Sequence, residues 1–330
     1  MRIDLKRNAL VFVQMSRESY RWSSFLDKRA FRSGPASFSA ELMELLPQLP
    51  ILPERRPLHF ILHGAFCGST LLARYLDAFS HCLVLKEPHL LFQLARLRAN
   101  ASAPTALEPH LWANWLRVAM VLFARGYPSD AAVIIKANDV CNWMGNLLLD
   151  HDIGTKIIFL SSPLKVFLLS VLKNTDRRKW VRQRVRELRA YLSQVPFLTE
   201  TVVAELSDGQ CGAAVWLLNS FLCSLYLARS DSDRVLSLSS ETLIWQPRDV
   251  VDAAVDFLGL TCDEANRREL TTVHPLSYYS KDPLVPYDAV TRAKELGNTE
   301  AQFGPEVEVA ISWAKQVSWG WLSRSPFSIE

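Results

Sequence analysis

The residues able to do chemistry in this chain sit at the ends of short apolar runs. Lys86-Glu87-Pro88-His89 follows the run 82–85, and Lys136-Ala137-Asn138-Asp139 follows 132–135. The run 156–160 leads into Ser161-Ser162-Pro163-Leu164-Lys165, with Ser170 beyond it, and 234–238 leads into Ser239-Ser240-Glu241. Charged residues at strand ends beside one anion-binding loop form a constellation, which weighs more than any one of them alone. The stretch 59–77, HFILHGAFCGSTLLARYLD, supplies a place for such an anion. Its apolar Phe60-Ile61-Leu62 enters a small-residue loop, Gly64-Ala65-Phe66-Cys67-Gly68-Ser69-Thr70, and a helical face of Leu71, Leu72, Tyr75 and Leu76 leaves it. Strand, glycine loop and helix together aim backbone N–H groups and a helix N-terminus at a phosphate.

The elements that must hold these residues follow from the apolar pattern. Runs at 58–62, 82–85, 132–135, 156–160 and 234–238 are short, continuously apolar and rich in Val, Ile or Leu, as strands covered on both faces are. Segments 71–79, 89–100, 111–125, 143–149 and 166 onward are long enough for crossover helices. The alternation predicts an α/β fold with a central, mainly five-stranded parallel sheet, and ligands outside the carboxyl ends of its strands. Residues 1–56 read as an N-terminal extension, with a strand at 10–13, an amphipathic helix over 38–46 and a proline-marked connector at 50–57. The segment 173–189, KNTDRRKWVRQRVRELR, reads as a basic helix: a solvated face, or an anion clamp. Further on, an amphipathic helix is expected over 306–321, whose Trp313, Trp319 and Trp321 suit packing rather than a stacking platform.

The bulk properties narrow the class. A chain of 330 residues, 49% hydrophobic, can build a substantial core. A net charge of +3 is too mild to imply a nucleic-acid partner. No signal pattern appears near Met1, and the longest apolar stretch, 213–228, includes Asn219 and Ser220 and suits a buried helix better than a membrane span. The six cysteines, at 67, 82, 141, 211, 223 and 262, show neither CxxC pairs nor zinc spacing with histidine. Reduced core thiols in a cytoplasmic protein, with no metal, are the expectation.

Several of these motifs resemble those of the sulfotransferase family, which uses 3′-phosphoadenosine 5′-phosphosulfate (PAPS) as sulfuryl donor. FCGSTLLARYLD resembles that family's 5′-phosphosulfate loop, and not a Walker A loop, since Ser69 stands where GxxxxGK[ST] needs lysine. SSETLIWQPRDVVDAAVDFLGL, 239–260, is similar to the family's later strand–helix element and is the most specific match. Lys86-Glu87-Pro88-His89 resembles the Lys-Glu-x-His segment of heparan-type members, and Pro163 to Ser170 resembles the 3′-phosphate motif. The resemblance spans about 57–262; it implies a P-loop-type three-layer domain over 57–330, with 263–330 a helical C-terminal part.

From the resemblance, Gly64, Cys67, Gly68, Ser69, Thr70 and Leu71 are expected at the donor's 5′-phosphate, and Ser162 and Ser170 at its 3′-phosphate. Glu87 is the implied general base with His89 as its rival, and Lys136 the cation on the sulfuryl group. Two departures stand out. Phe66 occupies the place of a lysine or arginine two residues before the loop glycine, and Ser161 (or Ser162 in the other register) replaces an arginine. Each removes a charge-assisted contact of about 1.5–3 kcal/mol. Lys86, Lys136, Arg74, Lys281 and the basic helix are the available replacements. The expected acceptor is a small molecule with a hydroxyl or amine, which Tyr278, Tyr279 and Tyr287 could line. Two alternatives remain: a sulfotransferase-fold nucleotide-binding or scaffold protein without turnover, and a P-loop phosphoryl-transfer enzyme. Oligomeric state is left open, a homodimer included.

Overall fold

The computed structural model describes residues 1–27, 36–51, 55–78, 81–99, 107–199, 203–260, 278–279 and 282–321. Lys281 and Cys262, both singled out from the sequence, lie outside them. The central sheet consists of β4 (Leu58–His63), β5 (Cys82–Lys86), β6 (Ala132–Lys136), β7 (Ile157–Ser161) and β8 (Val235–Ser239), in spatial order β5-β6-β4-β7-β8. All four pairings are parallel, as the sequence reading expects. β4 lies at the centre, with β6 and β7 hydrogen-bonded on either side. The chain leaves β4 for one side and later crosses to the other, so the loop after β4 opens at the switch point where such sheets bind ligands.

Burial on both faces explains the continuous apolar runs. Phe60 and Leu62 of β4, Val133 and Ile135 of β6, and Ile157 and Phe159 of β7 join one core. Their sequence neighbours Ile61, Ile134, Ile158 and Leu160 join the other, on the opposite face. The second face is covered by α3 (Ser69–Asp77) and α12 (Pro247–Leu258). The first is covered by a larger group: α4 (His89–Ala99), α5 (Pro109–Phe123), α6 (Gly145–His151), α7 (Leu164–Leu172), α8 (Thr175–Glu187), α9 (Arg189–Leu192), α10 (Asp208–Leu227) and the C-terminal helix α13 (Ala289–Val317). By length and composition α10 could cross a membrane, but it packs against α7, α8 and α13 and two thirds of its apolar window is buried there.

The N-terminal residues are not a loose appendage. β1 (Arg2–Asp4), β2 (Ala9–Val13) and β3 (Ser37–Glu41) form an antiparallel sheet, and α1 (Arg17–Trp22) lies against β5. The Arg17 guanidinium reaches buried Asp130 at 2.6 Å and the Cys82 carbonyl at 3.0 Å. Leu26 donates its N–H to the Lys86 carbonyl at 2.7 Å, and His89 donates to the Leu26 carbonyl at 3.1 Å, tying residues 23–27 to the mouth of β5.

Two elements differ from the sequence expectation. Residues 38–41 are strand, not the start of a helix. Ser37, Ser39 and Glu41 alternate with Phe38 and Ala40, and Phe38 stacks on Phe12 of β2 with ring centroids 4.7 Å apart. Only α2 (Leu42–Leu45) is helical, opened by a reciprocal Glu41–Glu44 capping box. The second correction is the start of α13, at Ala289 rather than near 306. Asp288 caps it by accepting the Thr291 N–H at 2.7 Å, and Pro305 sits within it on the exposed side. There the proline removes one donor without ending the helix.

Candidate functional site

At the carboxyl end of β4 the chain turns sharply. Ala65 and Phe66 hold φ of 58° and 49°, left-handed values that cost non-glycine residues energy, and Gly68 follows at 79°. Gly68 is the residue before α3, where a side chain would be strained and where an added Cβ would already touch Leu243 at 3.4 Å. The first N–H of α3 to close the helical ladder is that of Leu72, onto the Gly68 carbonyl at 3.0 Å. Helix geometry therefore leaves the N–H groups of Ser69, Thr70 and Leu71 without an intrahelical acceptor. They lie at the edge of a cavity of about 460 Å³. A helix dipole, N–H groups without a helical acceptor (that of Ser69 also faces the Cys67 sulfur) and two hydroxyls equip this edge to receive an anion.

His63, the last residue of β4, sets the loop in place. Its Nδ1 accepts the Ala65 N–H at 3.1 Å, so its Nε2 carries the proton and donates to the Ala137 carbonyl at 2.9 Å. Asn142 clasps the His63 backbone through both its N–H and its carbonyl. Cys67 donates its thiol to the Leu160 carbonyl at 3.3 Å, and burial pushes that thiol's pKa up. It serves as a buried donor and not as a nucleophile.

Across the cavity stand Glu87 and Lys136. Glu87 also has a left-handed φ, 52°, at the step before Pro88, which disfavours the right-handed helical conformation there. Its N–H donates to the Lys136 carbonyl at 2.7 Å. Its carboxylate pairs with the Lys136 ammonium and accepts the Asn138 amide at 2.8 Å. Lys136 is 2% exposed, and the carboxylate partner answers the cost of burying that charge. Phe25, from the N-terminal segment, covers the pair, with its ring centroid 5.8 Å from the ammonium.

The far wall is built by α8 and α13. Asn174 caps α8 by accepting the Arg177 N–H at 3.0 Å. The helix then turns Arg177, Trp180 and Arg184 toward the cavity, while Lys173 precedes it there. Arg184 pairs with Asp139 at 2.9 Å and Glu187 at 2.6 Å, and burial raises the pKa of Asp139 against that pairing. From α13, Glu295 takes Lys173 at 2.5 Å and the Tyr287 hydroxyl at 2.7 Å. Arg292 forks onto Glu241 at 2.5 and 3.1 Å.

The structure thus brings Glu87, Lys136, Cys67, Gly68, Ser69, Thr70, Leu71 and Ser170 around one cavity. It sends other candidates elsewhere. Lys86 is fully buried and paired with Asp77 of α3, its charged form disfavoured by desolvation. Lys86 and Lys136 are register partners, but Asp77 captures one and Glu87 the other. His89 is held at the start of α4 beside Phe92, outside the cavity lining. The Gly64 N–H is used on the Leu160 carbonyl at 3.0 Å, and Gly64 is not part of the cavity lining. The Ser162 hydroxyl accepts from Ser240 at 3.0 Å, away from the lining. Arg74 turns to Ser24 at 2.9 Å. The basic helix is more than a solvated face, since Arg177 and Arg184 line the cavity. Phe25, His63, Tyr287 and Arg292 complete the site, and only Tyr287 had been singled out from the sequence. His63 carries a local signal, directly before the loop; Phe25 and Arg292 carry none.

Among the described residues no cluster of histidine, cysteine and carboxylates could hold a metal ion. The five described cysteines are buried, and no disulfide joins any two of them. No protein-family model matches the chain, and no curated protein matches it. Among solved structures, the sulfotransferase domain from the curacin biosynthetic pathway is 14% identical, with 76% of this chain and 99% of that one covered and a TM-score of 0.47. A sulfotransferase from Alicyclobacillus acidocaldarius is 16% identical over 76% of this chain and 97% of its own, with a TM-score of 0.40. Mouse sulfotransferase SULT7A1, complexed with PAP, is 13% identical over 88% and 95%, with a TM-score of 0.39.

Proposed function

We propose that this protein is a sulfotransferase-like enzyme that takes PAPS as donor and places its sulfuryl group on a hydroxyl or amine of a small-molecule acceptor. The observation that carries the reading is the shared cavity. The orphan N–H groups at the start of α3 open on the same space as the Glu87–Lys136 pair. One side suits a phosphate and the other suits a nucleophile losing its proton beside a developing anion. In this reading Ser69, Thr70 and Leu71 hold the donor's 5′-phosphate. Glu87 accepts the proton of the acceptor as its oxygen or nitrogen bonds to sulfur. The bond from sulfur to the phosphate oxygen breaks, and Lys136 carries the charge that gathers on the moving group. Asn138 keeps the Glu87 carboxylate aimed through this exchange.

The test is calorimetric titration with adenosine 3′,5′-bisphosphate, followed by transfer of labelled sulfuryl from PAPS to a panel of phenols, alcohols and amines. Saturable one-site binding and labelled product are expected. Glu87→Gln should lower kcat by about 10²–10⁴ and Lys136→Ala by about 10²–10³, with Glu87→Gln leaving bisphosphate affinity unchanged. No binding at high micromolar concentration would sink the reading. Binding without transfer to any acceptor would leave a nucleotide-binding scaffold, the reading favoured by Phe66 standing where a loop cation is expected.

A further inference from the structure

Five basic side chains from the described residues border the cavity, and four of them are already matched with carboxylates. Lys136 faces Glu87, Lys173 faces Glu295, Arg184 faces Asp139 and Glu187, and Arg292 faces Glu241. Arg177 has no ion pair among the described residues; the neighbouring Asp176 lines the cavity without bonding to it. Its guanidinium lies 4.5 Å from the centroid of the Phe66 ring, and Nη1 donates to the Ser170 carbonyl at 2.8 Å. Phe66 is itself fixed by Trp180, edge-on at 4.8 Å, and by its left-handed turn. A guanidinium has five donors in a rigid plane, and a ring face both orients it and leaves its edge open.

We infer that Arg177 is the anion-binding cation of the phosphate loop, supplied from α8 and seated on the Phe66 ring in place of a cation within the loop itself. The four matched cations are electrically satisfied before any ligand arrives, so an incoming phosphate gains least from them. Arg177 has no carboxylate bonded to it among the described residues, only the Glu295 charge within electrostatic reach, and it sits on the Phe66 ring of the loop, lining the same cavity as Ser69, Thr70 and Leu71. Phe66 has a defined part in this arrangement: it is the platform that brings a residue more than a hundred positions later over the loop. The inference rests on the proposed function for the identity of the nucleotide, but not for the presence of an anion.

The experiment titrates two probes, adenosine 3′,5′-bisphosphate and inorganic pyrophosphate, into the wild-type chain and its variants. Arg177→Gln removes the charge while keeping a donor for the Ser170 carbonyl, and should weaken binding about tenfold to a hundredfold. Lys179→Ala, on the exposed side of the same helix, should change nothing. In the double variant Arg177→Gln with Phe66→Lys, an ammonium returns from the loop, and lysine at φ 49° is no more strained than phenylalanine. That variant should recover most of the lost affinity, which a merely structural role of Arg177 would not allow. Wild-type binding retained in full by Arg177→Gln overturns the inference and leaves the donor-binding reading standing. Arg177-dependent binding of pyrophosphate alone supports the inference and removes the nucleotide. Failure of the wild type to bind either probe overturns both.

Discussion

Competition for carboxylates decides what each charged residue can do. Lys86 and Lys136 end adjacent strands on the same face of the sheet, and neither tolerates burial alone. Asp77 at the end of α3 takes Lys86 into the core, which leaves Lys136 to Glu87 and the cavity. Removing Asp77 would therefore damage the fold before it touched the chemistry. His59 illustrates the same physics without a partner of opposite charge. Buried in β4, with Nδ1 accepting the Lys156 N–H at 3.2 Å, its pKa falls from 6.5 to about 4, chiefly through desolvation. Between those values the unfolded chain holds a proton on this ring that the folded chain lacks. Stability should thus be lost as pH falls below about 6.5, by about 2 kcal/mol at pH 5. Urea unfolding at pH 7 and pH 5 measures this, and His59→Asn, which keeps an acceptor but takes up no proton, should show that much less pH dependence.

At the scale of elements, the site is a meeting of helix ends and faces supplied by distant segments. α3 points its N-terminus at the cavity because Gly68 permits the turn and Leu243 of α11 (Ser240–Trp245) packs beneath it. α13 closes the opposite side through two polar contacts, Arg292 on Glu241 and Glu295 on Lys173. The Arg292–Glu241 fork is bidentate and partly buried, so it should hold the first turns of α13 more firmly than a surface pair would. Glu241→Gln is expected to weaken that docking by about 1–2 kcal/mol. Hydrogen exchange should then quicken in residues 289–300 while the β4 and β6 amides stay protected. Equal protection of 289–300 in both proteins would show that the helix is seated without the fork.

In the whole molecule, the strap at residues 23–27, between the second and third strands of the N-terminal sheet, bears directly on the cavity. Phe25 reaches the Lys136 ammonium because Leu26 is pinned by both Lys86 and His89 backbones. The Arg17–Asp130 pair anchors this strap. Asp130 is fully buried and also accepts the Tyr127 N–H at 2.6 Å, so losing the guanidinium would strand a carboxylate in the core. Arg17→Ala should destabilise the protein by about 3 kcal/mol. Arg17→Ala paired with Asp130→Asn should recover a good part of that, as read by denaturant midpoints. If the single variant unfolds like the wild type, the strap is held elsewhere.

Local pattern was enough to locate the sheet, the loop and the two strand ends that carry Glu87 and Lys136. Strands buried on both faces must be continuously apolar, so 58–62, 82–85, 132–135, 156–160 and 234–238 could be read locally, and the polar residues after them had to fall at one edge. Glycine before Ser69 signalled a turn into a helix for the same local reason. Which charges face the cavity is settled by packing between distant segments. Nothing around Lys86 announces that Asp77 will take it, and nothing around Arg177 announces that Phe66 will seat it. Those outcomes depend on how α3 and α8 pack and on which carboxylate comes nearest. Such contacts join residues 9 to more than 100 positions apart, and no periodicity records them. The strand at 38–41 and the continuous helix through Pro305 belong to the same class, since a partner strand and an exposed face overrode the local pattern.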